Sequence, residues 1–280
     1  MATNPLTETA DKATTRSTDR QERNRIWWEE KPMTYADWAG TDRLPKSDED
    51  FQDIEKYVLR HSPWLRAWFA KAAFMSGKTC VDIGSGSGIF SSLLARNGAR
   101  VTAVDLTAAG ATMTSQAAGF FGVDVRPLRA DLEKMPFDTG SFDFAWSWGV
   151  LHHTSQMKAG LGEMSRILRP GGAGMMMVYH RISIVYYLHG LFWLVFKGKL
   201  FRGHNFRTVQ DFYTDGYYHR YLTAGELTDM LSAAGLRVTK TSVTQYEKKI
   251  LPFIPAPLDR YLKARFGMCL IAEFKKPAGD

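Results

Sequence analysis

The sequence predicts an α/β protein: a doubly wound sheet, mostly parallel with a late antiparallel strand, and helices on both faces. Two observations predict it. From Lys78 onward, short apolar runs of strand length alternate with segments of helical period. And a glycine-rich turn, "VDIGSGSGIF" over Val81–Phe90, stands where the first such run passes into the first such helix. The 280-residue chain is 45% hydrophobic and 23% charged, an ordinary globular composition with room for a sizeable core.

The elements follow in order. Residues 1–22 are rich in Thr, Ala, Asp and Arg and carry no apolar stretch, so they are expected to be a disordered tail without a signal peptide. The segment Arg23–Gly40 holds aromatics without a clean period and reads as a lid or a packed arm. "DEDFQDIEKYVLRHSPWLRAWFAKAAF" predicts two helices broken at Pro63, with Phe51, Ile54 and Val58 on one face. "KTCVDIG" is the first strand, and "IFSSLLARNG" the helix after it, stopped at Gly98. "RVTAVDL", "VDVRPLRADL", "FDFAWSW" and "GAGMMMVYH" supply strands two to five. Met157, Leu161, Met164 and Leu168 space a helix between the last two. Thr223 and Glu226 form a capping box, and Gly235 ends that helix. "RVTKTSVTQYE" and "RFGMCLIAEFKK" read as two late strands separated by a Pro-rich stretch. No repeat or linker divides residues 23–280. They are expected to be one domain, with a helical lid over about 23–75 and an inserted apolar segment over about 180–215.

Three glycines at a strand-to-helix turn let the backbone approach a ligand, and the helix N-terminus offers free N–H groups there. Gly84, Gly86 and Gly88 give G-x-G-x-G, with Ile89 where a dinucleotide fingerprint wants a last small residue. That departure counts against NAD, and the Lys-Ser/Thr pair of a phosphate loop is absent. Asp105 ends the second strand seventeen residues past Gly88, where a carboxylate can accept from two ribose hydroxyls.

Taken together, these segments resemble the class I S-adenosylmethionine-dependent methyltransferases, and most of all the small-molecule group that includes ubiquinone and menaquinone methyltransferases. "VDIGSGSG", "VTAVDL", "ADLEKMPFDTGSFDFAWSWGVLHHT" and "EMSRILRPGGAGMMMV" look like four family motifs in order, over about Thr79–Tyr179. The resemblance implies a Rossmann-like fold and S-adenosyl-L-methionine as cofactor. It implies that the backbone of Gly84, Ser85, Gly86 and Gly88 cradles the methionine portion and ribose. Asp82 would reach the cofactor's amino group, Asp105 the ribose, and Leu106 would lie beside the adenine. Asp131 would accept from the adenine amino group and the Leu132 amide would meet the ring. Ser147 and Trp148 would line the methionine side.

The acceptor is expected at the carboxyl ends of the strands. His153, just past strand four, is the candidate catalytic base; helix-start packing or capping is the alternative. Tyr179, Arg181, Tyr218 and His219 are the candidate acceptor contacts, with aromatic packing of a loop as their alternative. The apolar run Ile182–Phe196 is too short for a membrane span. It reads as a buried or acceptor-covering helix, with peripheral membrane contact through residues 182–201 as the other reading, because basic residues flank it.

The function expected is methyl transfer to a small, partly lipophilic or aromatic molecule. The alternative is a protein on the same fold that uses the cofactor for another reaction or only binds it. Methylation of nucleic acid or protein is the less expected enzyme alternative, and a nucleic-acid partner is not expected. The strand-four exit "WSWGVLHH" lacks the N/D-P-P-Y/W pattern of amino-base methylation, and no basic stripe with interleaved aromatics stands out. The net charge of +7 and the pI of about 9.3 select no partner class. Cys80 and Cys269 lie in apolar strands and are expected to be buried free thiols in a reducing compartment; no metal-site spacing occurs. The expected location is cytoplasmic, with membrane-surface association as the variant.

Overall fold

A computed structural model describes residues 19–33, 44–212, 218–244 and 254–278. A helix over residues 19–30 (α1) precedes α2 (Asp48–His61) and α3 (Pro63–Phe69). The alternating part runs β1 (Thr79–Ile83), α4 (Ile89–Arg96), β2 (Arg100–Asp105), α5 (Ala108–Phe121), β3 (Val125–Arg129) and β4 (Phe142–Trp148). It continues through α6 (Met157–Ile167), β5 (Leu168–Tyr179), α7 (Ile184–Val195), α8 (Ala224–Ala233), β6 (Arg237–Thr244), α9 (Ala256–Phe266) and β7 (Cys269–Lys275).

The seven strands form one sheet in the order β3-β2-β1-β4-β5-β7-β6. Every pairing from β3 to β5 is parallel, and β7 runs antiparallel to both its neighbours. The doubly wound, mostly parallel sheet with one late antiparallel strand is therefore as expected. The order reverses between β1 and β4, which opens the crevice of such a sheet at their carboxyl ends.

Alternation along the strands sorts the core into two faces. Trp146 and Trp148 of β4 with Met175 and Met177 of β5 face α2–α5, whereas Ala145, Met176 and Val178 face α6 and α8. On the first face Phe51, Ile54 and Val58 of α2 are buried, and Trp64, Trp68 and Phe69 of α3 meet the strand tryptophans. Cys80 and Cys269 are buried free thiols.

Three boundaries differ from the sequence reading. Of the tail expected over residues 1–22, only residues 19–22 are described; they are helical, and Gln21 is buried. α1 carries ion pairs at helical spacing, Arg23 with Asp19 and Arg25 with Glu22 and Glu29, in place of an apolar stripe. The Pro-rich stretch opens α9: Pro255 is the N-cap and a second proline lies in its first turn. β5 begins before the glycine pair, at Leu168.

Trp146 is fully buried, and its indole N–H has no partner. Trp146→Ala should therefore cost about 3–5 kcal/mol in urea unfolding. Trp146→Phe removes the unpaired N–H with much of the ring retained, and should cost clearly less.

Candidate active site

The glycine turn joins β1 to α4. Gly84, Gly86 and Gly88 all have positive φ (79°, 49° and 75°). A Cβ on Gly84 would overlap the Val150 side chain, on the loop leaving β4. One on Gly88 would lie 2.6 Å from Thr114 Cα of α5. On Gly86 the Cβ direction is open, with the Met33 carbonyl 4.0 Å away as its nearest neighbour. The outer glycines thus let three elements converge, and the middle one leaves a cradle.

Asp105 closes that cradle. Its Oδ2 accepts from Gly86 N–H (2.9 Å), and its Oδ1 from Thr107 N–H (2.9 Å) and the Thr107 hydroxyl (2.6 Å). A carboxylate has about four acceptor positions, so three are taken. Two ribose hydroxyls fit only if one bond is released. The Thr107 hydroxyl can rotate away without moving backbone.

Asp82 is buried on β1 and accepts from the Ser91 hydroxyl (2.5 Å). Burial, joined by the nearby Asp105 charge, pushes its carboxyl up to about 7 against that hydrogen bond. A cation placed beside it would restore its charge. Ser85 is buried and its hydroxyl accepts from Thr114 (2.9 Å).

Beyond β2 lies a cavity of about 590 Å³, lined by Leu106, Ala130, Asp131 and Glu133 on the sheet side and by Gln21, Glu22 and Arg25 of α1. Asp131 Oδ1 accepts from Gln21 Nε2 (2.9 Å) and from Glu133 N–H (2.9 Å). Leu132 is buried against α6, where a Cβ on Gly160 would overlap it. Ser147 and Trp148 are also buried. The Ser147 hydroxyl donates to Ile83 C=O (3.1 Å), and Trp148 packs on Trp64 with ring centroids 5.2 Å apart.

The exits of β4 and β5 carry the second half of the site. The His153 ring is buried, and its Nδ1 lies 2.9 Å from Tyr218 C=O. A carbonyl only accepts, so Nδ1 holds the proton and the lone pair sits on Nε2. Burial lowers the His153 pKa to about 4, so the ring is neutral near pH 7. His152 is fully buried with neither ring nitrogen partnered, its pKa also driven down by burial, and its ring lies 4.0 Å from Tyr179. Tyr179 in turn meets Tyr221, and Tyr221 meets Tyr186 of α7 and the His219 ring. Arg220 N–H bonds His152 C=O, and Leu222 N–H bonds Tyr179 C=O, which stitches residues 218–222 between the two strand exits. Arg181 is engaged elsewhere: it pairs with Glu226 (2.9 Å) and donates to Tyr221 C=O. Tyr217, grouped with this loop in the sequence, lies outside the described residues. Among the described residues, no group of three His, Cys, Asp or Glu side chains is arranged to hold a metal.

α1 spans both halves, which the sequence reading missed. Besides Gln21 on Asp131, Asn24 donates to His153 C=O (3.1 Å) and Trp28 packs edge-on to the His153 ring at 5.2 Å. Glu29 accepts from Ala108 and Ala109 N–H (both 2.9 Å), capping α5 from outside. The ion-pair spacing within α1 was the signal available in the sequence.

Residues 81–176 match the family described as "Methyltransferase domain". A ubiquinone biosynthesis O-methyltransferase of Pseudomonas paraeruginosa is 30% identical over 146 residues, covering 45% of this chain and 62% of that one. This similarity to methyltransferases is carried by residues 81–176. The chain spans about three-fifths of the length of that curated relative. The fold agrees with solved methyltransferases. One is a chain in the complex of the Haloferax volcanii Trm112 methyltransferase activator with a methyltransferase: TM-score 0.60, 20% identity, 91% of this chain and 98% of that one. Another is the magnesium protoporphyrin IX methyltransferase of Synechocystis PCC 6803 with bound SAH: TM-score 0.57, 18% identity, 90% and 97%. The methyltransferase-domain match over residues 81–176 implies S-adenosylmethionine as the donor for that segment. The glycine turn is compatible with that group: the Gly86 cradle is open, it carries no lysine for a phosphate, and the buried Asp82 carboxyl beside it is one whose charge a cation would restore.

Gly88→Ala should destabilise the fold by more than about 2 kcal/mol, because positive φ and a backbone clash add. Gly86→Ala should cost only about 1 kcal/mol in stability while weakening S-adenosylmethionine binding. Chemical denaturation and calorimetry separate the two effects. An equal stability loss for both variants contradicts the cradle.

Proposed function

We propose that the protein transfers a methyl group from S-adenosylmethionine to a small, partly lipophilic or aromatic molecule. The observation that carries this is the buried His153 ring with its Nε2 lone pair, set among Tyr179, Tyr218, His219 and Tyr221 at the strand exits. The quinone pathway named for the Pseudomonas relative supports the acceptor class.

On this reading Asp82 binds the cofactor's ammonium and Asp105 its ribose. Leu106, Asp131 and the Leu132 amide take the adenine. The Gly84–Gly88 backbone and Ser85 hold the methionine portion, backed by Ser147 and Trp148. The cofactor, when bound, supplies an electrophilic methyl on a sulfonium. The chain's task is then alignment and exclusion of water. His153 Nε2 takes the acceptor's proton, while Tyr218 C=O fixes the tautomer. Tyr179, Tyr218 and His219 wall the acceptor, and Arg181 holds that wall to α8 through Glu226. α1 is the lid: Trp28 covers His153, and Gln21 holds Asp131 until adenine replaces it.

Two measurements test the roles. His153→Ala should lower the catalytic rate by about 10²–10⁴ with cofactor affinity unchanged. Asp105→Ala should weaken cofactor binding by about 1.5–3 kcal/mol for each ribose hydrogen bond lost. A rate within a few-fold of wild type removes His153 as base, and unchanged affinity removes Asp105 from the ribose site.

Cofactor affinity should also fall with pH below about 7, where Asp82 takes up a proton. The ammonium favours the carboxylate, so binding must displace that proton, and the dissociation constant should rise about tenfold per pH unit. Asp82→Asn should flatten this dependence in calorimetry. A slope kept by the variant assigns it to another group.

A further inference from the structure

We infer that the outer face of α7 and the turn after it dock on an anionic lipid surface. α7 buries Tyr186, Gly190 and Leu194, spaced four residues apart, against the protein. A helix with one buried stripe ordinarily shows polar residues to water. Here, apart from the exposed His189, the outward residues Tyr187, Leu188, Leu191, Phe192, Val195 and Phe196 are apolar or aromatic and 43–77% exposed. Leu200 and Phe201 extend the face at 53% and 87% exposed. Surface this apolar and contiguous marks an interaction site.

Charge selects the partner. From Ile182 to Gln210 the sequence holds no Asp or Glu, and it holds Lys197, Lys199, Arg202 and Arg207. Lys197 and Lys199 lie over the Phe192 and Phe212 rings at 5.6 Å and 3.7 Å, with apolar stems along the face. An apolar face with a cationic rim matches the boundary between acyl chains and anionic headgroups. A second copy of the chain would instead bring two cationic rims together. With 12 residues α7 is about 18 Å long, short of the roughly 30 Å hydrocarbon layer, so it lies along the surface. Among the described residues no helix is long and apolar enough to cross a membrane. The docking stands on a different part of the molecule from the cofactor site, and it would present the Tyr186–Tyr221 side of the acceptor wall to the bilayer.

The test is co-sedimentation of the full chain with vesicles, with S-adenosylmethionine calorimetry as an independent check of folding. Wild type should pellet with phosphatidylcholine vesicles containing phosphatidylglycerol, and more weakly with phosphatidylcholine alone or at high salt. Phe196→Glu with Phe201→Glu should reduce partition by about tenfold or more, with cofactor affinity unchanged. Lys197→Glu with Lys199→Glu should abolish the preference for phosphatidylglycerol. Wild type that stays in the supernatant with anionic vesicles overturns the proposal, as do Phe196→Glu/Phe201→Glu variants that bind like wild type. A wild-type dimer dissociated by those changes, without vesicle binding, assigns the face to a second copy and overturns it equally.

Discussion

The site depends on how closely the ends of β1 and β4 approach. They are parallel neighbours at the reversal of strand order, with Ile83 opposite Ser147. Their exit loops touch so tightly that any side chain at residue 84 would overlap Val150. Behind them, α4 and α5 meet at Gly88 and Thr114. These contacts fix where the Gly86 amide points, and so where Asp105 is drawn in. The cradle is therefore a result of packing: two glycines are spent on bringing elements together, and the third stays open as a consequence.

Burial then sets the chemistry of both halves. It raises Asp82 to about 7 and lowers His153 to about 4, so that near pH 7 the acid is poised between its two forms while the imidazole is neutral. A nearby cation would draw such a carboxyl fully into its charged form. A neutral imidazole with its proton fixed on Nδ1 offers its other nitrogen. The low pKa makes that nitrogen a weak base, so on the proposed reading it can take only a proton that becomes acidic as the new bond forms.

Much of this was legible in sequence. β1, β2, β4, α6 and α8 came from period and caps, because each carries large apolar residues or turn chemistry in fixed register. The glycine turn and Asp105 were legible because their backbone geometry restricts residue type. α5 gives a weaker signal: it buries Gly110, Met113, Thr114, Ala117 and Ala118, mostly small side chains with little contrast to their neighbours. α9 hid behind prolines that open a helix as readily as they break one. Gln21 and Asn24 were out of reach, since their partners Asp131 and His153 lie 110 and 129 residues away and no local pattern encodes such contacts.

The helices over about 23–75, read together as one lid, are held by unlike forces. α2 and α3 bury Phe51, Ile54, Val58, Leu65 and Phe69 in the sheet's aromatic face. Freeing them would expose several core side chains, each worth about 1.5–3 kcal/mol. α1 buries only Gln21 and Asn24 among its residues, both polar, and leaves Ile26 42% exposed. Its anchors are hydrogen bonds to Asp131, His153 and the α5 terminus, each contributing about 1–3 kcal/mol net, and the edge of Trp28 on the His153 ring. Local opening is confined to segments with few buried apolar contacts. Of these three helices α1 alone meets that condition, and it contacts both Asp131 and His153. On the proposed reading, one motion of α1 would therefore uncover the cofactor and acceptor sides together, while α2 and α3 stay in place.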